Sequence, residues 1–305
     1  MTVRNLWHLI RDTSRHWSED KASVLGAALA YYALFSVAPL VLTAVSIAGL
    51  VFGEDAAREE IVRQITASAG EQVGRAVGDT LAYVHNGGSG TYATVISLAI
   101  LTFAATGIFA QLQDALNTVW GVQARSGRGV LGVIKDRFWS FMLVVVFGVL
   151  LLASLVVMAG LTGLTHLLPP DAAPARPLLW QTVNWLVSIV LLTALIAMVY
   201  KLLPDVQLHW SDVGTGAVVT ALLVTIGNQL IGLYLGWSSW ISAYGAAGSL
   251  VVVVLWVYYS AQVFLFGAEF TQVYATRAGK RLPPKANAEP VTAEARARQG
   301  RAPGP

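Results

Sequence analysis

Polar side chains inside long apolar stretches are the residues of this sequence whose types and spacing could do chemistry. Most of them recur at intervals of three or four residues, which places them on one face of a helix. Such a polar face either lines a water-accessible cavity or holds neighbouring helices together through hydrogen bonds. The candidate cavity-lining residues are Tyr32, Ser36, Pro39, Asn228, Gln229, Tyr258 and Gln262.

A second group of polar residues falls close to the ends of the apolar stretches. Glu269 is the first charged residue after Asp212, and it follows Gly248 by about 20 residues, the length of one bilayer crossing. We therefore expect Glu269 at a membrane boundary, where it pairs with Lys201, which ends another apolar stretch. The candidate cytoplasmic rim consists of Asp114, Asn117, Lys201 and Glu269.

The sequence contains no arrangement of residues typical of a catalytic or metal site. The five histidines are scattered, and there is no cysteine. Neither a phosphate-binding G-x-x-x-x-G-K-[ST] loop nor a G-x-S-x-G nucleophile motif occurs. We therefore predict that the protein is not an enzyme and that it holds no metal and no cofactor.

Long segments without charge must position these polar residues. The chain is 55% hydrophobic and 12% charged, whereas about 25% of residues are charged in ordinary soluble domains. A membrane-crossing helix needs about 20 apolar residues, which excludes a soluble enzyme with one aqueous core. The sequence predicts an all-α, polytopic membrane domain over 1–279 with six transmembrane helices, at about 25–52, 91–111, 138–164, 178–200, 213–235 and 246–273.

The distribution of basic residues predicts the orientation of these spans. If the N-terminus is cytoplasmic, all but four of the 20 Lys and Arg residues lie on the cytoplasmic side. The positive-inside rule therefore places both termini in the cytoplasm. The basic balance is thus a topology signal with added attraction to anionic membrane lipids, and it does not indicate nucleic acid.

Three further segments lie outside the spans. An amphipathic helix over 3–17 lies either in the cytoplasmic interface or against the inner end of the bundle. The outer loop 53–90 is expected to form one or two amphipathic helices. The tail 280–305 is rich in Pro, Ala and charge without apolar periodicity, so we predict a disordered cytoplasmic tail.

Four sequence blocks carry a resemblance to a known family. They are SEDKASVLGAALAYYALFSVAPL, LNTVWGV, LLPDVQLHWSDVGTGAVVTALL and YGAAGSLVVVVLWVYYSAQVFLFGAEF. Together they resemble the YihY/BrkB family, which also carries an older ribonuclease BN label. The resemblance implies a six-helix protein of the bacterial inner (plasma) membrane, and it implies no established reaction.

Two functions remain open at this point. The polar faces favour a transporter or permease-like protein for a solute or a lipid, with membrane lipids as its surroundings and a homo-oligomer as one assembly. The alternative is a non-transporting membrane scaffold or an envelope-integrity or virulence-associated factor. A membrane ribonuclease is disfavoured, because hydrolysis would require a metal cluster or an acid–base pair that the sequence does not contain.

Overall fold

A computed structural model describes residues 3–69, 71–86, 107–125, 176–237, 248–277, 279–280 and 282–298. Helices dominate these residues, and one short antiparallel sheet joins two distant segments. The elements are α1 (Val3–Glu19), α2 (Ala22–Phe52), α3 (Glu54–Ala69), α4 (Glu71–Asn86), α5 (described over 107–119), β1 (Val122–Ala124), α6 (Arg176–Leu202), α7 (Trp210–Trp237), α8 (Gly248–Arg277), β2 (Ala288–Pro290) and α9 (Ala293–Arg298).

Three of the described helices are long and apolar enough to cross a membrane. The qualifying stretches are Trp185–Leu202 in α6, Trp210–Tyr234 in α7 and Val251–Arg277 in α8. These helices coincide closely with the fourth, fifth and sixth predicted spans. The third predicted span, 138–164, and most of the second, 91–106, lie outside the described residues.

Reciprocal glycine–threonine contacts bring α7 and α8 close together. A Cβ atom at Gly216 of α7 would lie 1.8 Å from Thr271 Oγ1 of α8, and one at Gly267 of α8 would lie 2.0 Å from Thr220 Oγ1 of α7. Each threonine hydroxyl donates to the carbonyl of the glycine four residues earlier, at 2.7 Å. Small residues thus allow the antiparallel backbones to approach, and no hydroxyl proton of these two threonines is left unsatisfied.

Tyr200 joins a third helix to this pair. Its ring, at the end of α6, is completely buried. The hydroxyl donates to the Phe264 carbonyl of α8 at 2.7 Å and lies 3.1 Å from Thr220 Oγ1 of α7. One side chain therefore connects all three apolar helices, and its polar atom is satisfied inside the bundle.

The segment between α2 and residue 87 forms a helical hairpin at one end of the bundle. Gly53 makes the turn into α3 with φ 87°, which glycine adopts without strain. Val73 of α4 packs with Val252 at the start of α8 and with Ile65 of α3. The expected one or two amphipathic helices are thus two, α3 and α4, and their apolar faces cover this end of the bundle.

Helix α1 lies at the opposite end, and its two faces have different surroundings. Leu9 packs against Phe270 and Val273 of α8 and is buried. Trp7 and Ile10, by contrast, are exposed. The two interpretations left open by the sequence therefore apply to different faces of one helix: one face packs on the bundle, and the other is free to contact the membrane interface.

Residues 282–298 are ordered, which corrects the prediction of disorder for this part of the tail. We call residues 282–298 the C-terminal strap. Its strand β2 pairs antiparallel with β1, and Val206, between α6 and α7, pairs with Pro284. The prediction was wrong because it weighed only the apolar surface of the tail itself. The strap is held instead by backbone hydrogen bonds to other segments, and it also adds β structure to the all-α class.

Candidate functional site

A groove runs along the exposed side of α7 and α8 and ends at α1. Its volume is about 550 Å³. Along α7 it extends from Leu223 to Leu230, about 10 Å at the helical rise per residue. Its lining is mostly apolar and consists of Ser14, Trp17, Ser18, Leu223, Ile226, Gly227, Leu230, Tyr259, Gln262, Val263 and Phe266.

Gly227 and Tyr259 shape the middle of the groove. A Cβ atom at Gly227 would lie 2.5 Å from the Tyr259 hydroxyl. The absence of a side chain on α7 therefore creates the space that the Tyr259 ring occupies on α8. Because a larger residue at this position would displace the ring, Gly227 is a determinant of the groove's shape.

Two groove residues have unused hydrogen-bonding capacity. Gln262 Nε2 donates to the Ser23 carbonyl of α2 at 3.3 Å, and the amide packs against Gly26. Among the described residues, neither Gln262 Oε1 nor Trp17 Nε1 has a hydrogen-bond partner, although both atoms are buried. The groove thus has one acceptor and one donor where its apolar part meets α1 and α2.

The other predicted cavity residues with described side chains do not line this groove. Tyr32 lies on α2 beside Gly107 of α5, 3.3 Å from where a Cβ of that glycine would be. Gln262 meets α2 at Gly26, about 9 Å earlier along the helix axis. The backbone of α2 is helical through Ser36 and Pro39, whose side chains lie outside the described residues.

The remaining candidates lie near the groove without lining it. Tyr258 is half-buried and directly precedes the groove residue Tyr259. Asn228 and Gln229 both follow Gly227 on α7 and do not border the groove. Of the five predicted cavity residues whose side chains the structure describes, Gln262 alone borders the groove.

Two of the rim candidates lie around a buried aspartate that the sequence analysis did not single out. Asp205, in the turn between α6 and α7, is 4% exposed. Its Oδ2 accepts from Asn117 Nδ2 at 3.0 Å and from Gln113 Nε2 at 3.3 Å, while its Oδ1 accepts from Asn287 Nδ2 of the strap at 3.1 Å. Three donors thus satisfy this carboxylate and connect α5, the turn and the strap.

Two charged groups beside Asp205 have shifted pKa values. Partial desolvation, together with the negative charge of Asp205, raises the pKa of Asp114 above its ordinary value. Desolvation lowers the pKa of the Lys285 ammonium, although the attraction of Asp205 opposes this shift. The backbone N–H of Lys285 also donates to the Asp205 carbonyl at 2.8 Å. The charge of Asp205 therefore affects both the α5 end and the strap.

Lys201 has contacts other than the predicted one with the Glu269 carboxylate. Lys201 Nζ donates to the Leu208 carbonyl and lies 5.3 Å from the centre of the Trp210 ring. Glu269 is completely buried, and α8 continues for two more turns beyond it to Arg277.

Sequence reasoning missed the part of α1 that contributes to the groove. Ser14, Trp17 and Ser18 line its polar end, and Arg11 lies on the same face, three residues before Ser14 and seven before Ser18. The amphipathic pattern of residues 3–17 predicted the helix, but it did not indicate against which apolar helices this helix packs. Among the described residues, no cluster of three or more acidic or histidine side chains could hold a metal ion.

A comparison with protein-family models shows the family to which this chain belongs. A model described as "Virulence factor BrkB" matches residues 13–292, which include α2 to α8 and most of the strap. The chain belongs to the BrkB family. This confirms the family resemblance seen in the four sequence blocks.

Curated relatives in the BrkB family have names that refer to the membrane. A UPF0761 membrane protein of Pseudomonas aeruginosa is 29% identical over 257 residues, which cover 82% of this chain and 58% of the relative. A UPF0761 membrane protein of Photobacterium profundum is 25% identical over 286 residues, covering 92% and 84%. The chain thus spans 58% of the length of the Pseudomonas relative. No solved structure gives a significant match.

Proposed function

We propose that this BrkB-family chain is a permease-like protein of the bacterial inner membrane that moves a lipid through the groove between α7, α8 and α1. The groove carries the proposal, because its apolar length suits a hydrocarbon chain and its α1 end offers polar groups. A lipid has the same two parts, an apolar hydrocarbon chain and a polar headgroup. A small polar solute would find few partners along Leu223, Ile226 and Leu230.

The proposed membrane arrangement has six spans with both termini in the cytoplasm. It rests on the charge distribution, since only Arg58, Arg63, Arg75 and Arg176 would face the other side. Under this arrangement the polar end of the groove, at α1, lies in the cytoplasmic leaflet. The α3–α4 hairpin then covers the periplasmic end.

Reporter fusions test this arrangement. We expect a fusion after Gly88 to be active only as a periplasmic reporter and a fusion at the C-terminus only as a cytoplasmic one. The reason is that translocating the base-rich N-terminal and C-terminal segments is disfavoured. A periplasmic C-terminus would contradict the arrangement and the depth assigned to the groove.

The second candidate function is a membrane scaffold. The contacts of Gly216 with Thr271, and the hydrogen bonds of Tyr200, are the tight packing that a purely structural bundle requires. The two functions can be distinguished by measurement. A permease accelerates lipid movement and loses this activity when its groove is filled, whereas a scaffold does not accelerate lipid movement at all.

We therefore expect Ile226→Trp to reduce lipid movement by about tenfold or more, because its indole would occupy the groove in which the chain must lie. Ile226 is 58% exposed and borders the groove. The measurement is the rate at which dithionite bleaches fluorescent phosphatidylglycerol of the inner leaflet in liposomes containing the purified protein.

Leu222→Trp is the matched control for this experiment. Leu222 lies one turn earlier on the same helix, is also exposed, and does not border the groove. Its variant should retain wild-type rates. Wild-type protein that does not accelerate bleaching, or equal rates in both tryptophan variants and the wild type, would contradict the permease proposal and favour the scaffold.

A further inference from the structure

We infer that the groove selects an anionic phospholipid, with the lipid phosphate held by Arg11 at the α1 end. This inference deepens the proposed function by naming the substrate class of the same groove. It concerns binding, however, and it can be tested without any measurement of lipid movement.

The face of α1 that borders the groove supplies the first argument. Arg11, Ser14 and Ser18 follow one another at three and four residues, so their side chains form one polar line along the helix. All three are exposed, and both serines line the groove. A guanidinium beside two hydroxyls is a donor set suited to phosphate oxygens.

The charge balance of α1 supplies the second argument. Arg15 is paired with Glu19 at 2.6 Å, and Asp12 is paired with Arg277 of α8. Among the described residues, Arg11 forms no ion pair. It is therefore the arginine on the same face of α1 as the groove residues Ser14 and Ser18 whose positive charge is available to a ligand. That charge favours an anionic headgroup over a zwitterionic one.

The polar atoms deeper in the groove match the middle of a phospholipid. Trp17 Nε1 is a donor and Gln262 Oε1 is an acceptor, and within the described structure both lack a partner. A glycerol backbone offers ester carbonyls to a donor and, where present, a hydroxyl to an acceptor. Beyond them, the apolar walls formed by Leu223, Leu230 and Phe266 suit an acyl chain.

The test is equilibrium binding of fluorescent phosphatidylglycerol and fluorescent phosphatidylcholine to the purified full-length protein in detergent. We expect phosphatidylglycerol to bind about fivefold more tightly, which is the effect of roughly one arginine near an anionic group. Arg11→Gln should remove this preference, Arg11→Lys should retain part of it, and added salt should weaken it in the wild type.

Arg15→Gln is the control, because Arg15 has the same charge on the same helix but is neutralised by Glu19. It should keep the preference. Equal binding of both lipids to the wild type would overturn the inference, and so would equal losses in Arg11→Gln and Arg15→Gln, because the preference would then come from diffuse charge. Thermal unfolding of each variant verifies that it is folded.

Measurements of lipid binding and of lipid movement distinguish the anionic-lipid inference from the permease proposal. If phosphatidylglycerol is preferred but no lipid moves in liposomes, the anionic site is retained and the permease function fails. If lipid moves at equal rates for both headgroups and Arg11→Gln has no effect on binding, the permease function is retained and the assignment of Arg11 fails.

Discussion

Gly216→Ala should destabilise the protein by about 3 kcal/mol, the upper part of the range for overpacking a tight contact. The new methyl group would lie 1.8 Å from Thr271 Oγ1 and 2.7 Å from Thr271 Cβ. Rotation of the threonine cannot remove the second contact, so α7 and α8 must move apart. Thermal unfolding in detergent, followed by helical circular dichroism, measures the loss.

Gly214→Ala provides a control with the same chemical change two residues away. A Cβ atom at Gly214 would meet nothing within 4 Å. Because alanine favours helix over glycine, this variant should be neutral or more stable by about 0.5 kcal/mol.

The origin of the effect can be isolated in a Thr271→Gly background. There the side-chain atoms that the new methyl group would strike are absent, so Gly216→Ala should cost nothing further. An equal loss with and without Thr271 would contradict the close approach of α7 and α8 described above.

Asp205→Asn should destabilise the strap by about 3 kcal/mol, because hydrogen bonds to a charged acceptor contribute strongly and an amide cannot replace them all. The carboxylate accepts from three side-chain amides, of Asn117, Gln113 and Asn287. Whichever oxygen becomes an NH₂ group then faces a donor. We expect trypsin to cleave after Lys285 much faster in this variant, with the transmembrane helices intact.

Glu289→Gln is the matched control, since it removes a negative charge from the strap and keeps an acceptor. Glu289 Oε1 accepts from Gln123 Nε2 at 3.2 Å, and a glutamine amide oxygen can accept the same bond. Cleavage after Lys285 should remain at the wild-type rate. Equal cleavage of the wild type and Asp205→Asn would show that Asp205 does not hold the strap.

The apolar helices could be predicted from sequence because their signal is local. An uncharged stretch such as 213–235 has to avoid water along its whole length, so its limits are visible in the composition. The two Gly-x-x-x-Thr spacings, at Gly216 and Gly267, are also visible. Their mutual contact is not, because it depends on the register of two antiparallel helices.

The strap and the charged residues could not be predicted in the same way, because their stability comes from partners that are distant in sequence. Asn287, for example, is held by a hydrogen bond to Asp205, which lies 82 residues earlier in the sequence. Glu269 was assigned to a rim by counting residues along one helix, and such a count does not show whether neighbouring elements bury the side chain, which is completely buried. Gln262 was correctly recognised as a polar group that requires a partner, and that partner is a backbone carbonyl at Ser23.

The most direct test of the groove uses one protein before and after chemical modification. The chain contains no cysteine, so Ile226→Cys introduces a single reactive thiol that borders the groove. The folded variant in liposomes is assayed for movement of fluorescent phosphatidylglycerol, alkylated with a bulky maleimide, and assayed again. We expect alkylation at residue 226 to stop lipid movement and alkylation of Leu222→Cys to leave it unchanged. Undiminished movement after complete alkylation of Ile226→Cys would contradict the groove as the lipid pathway.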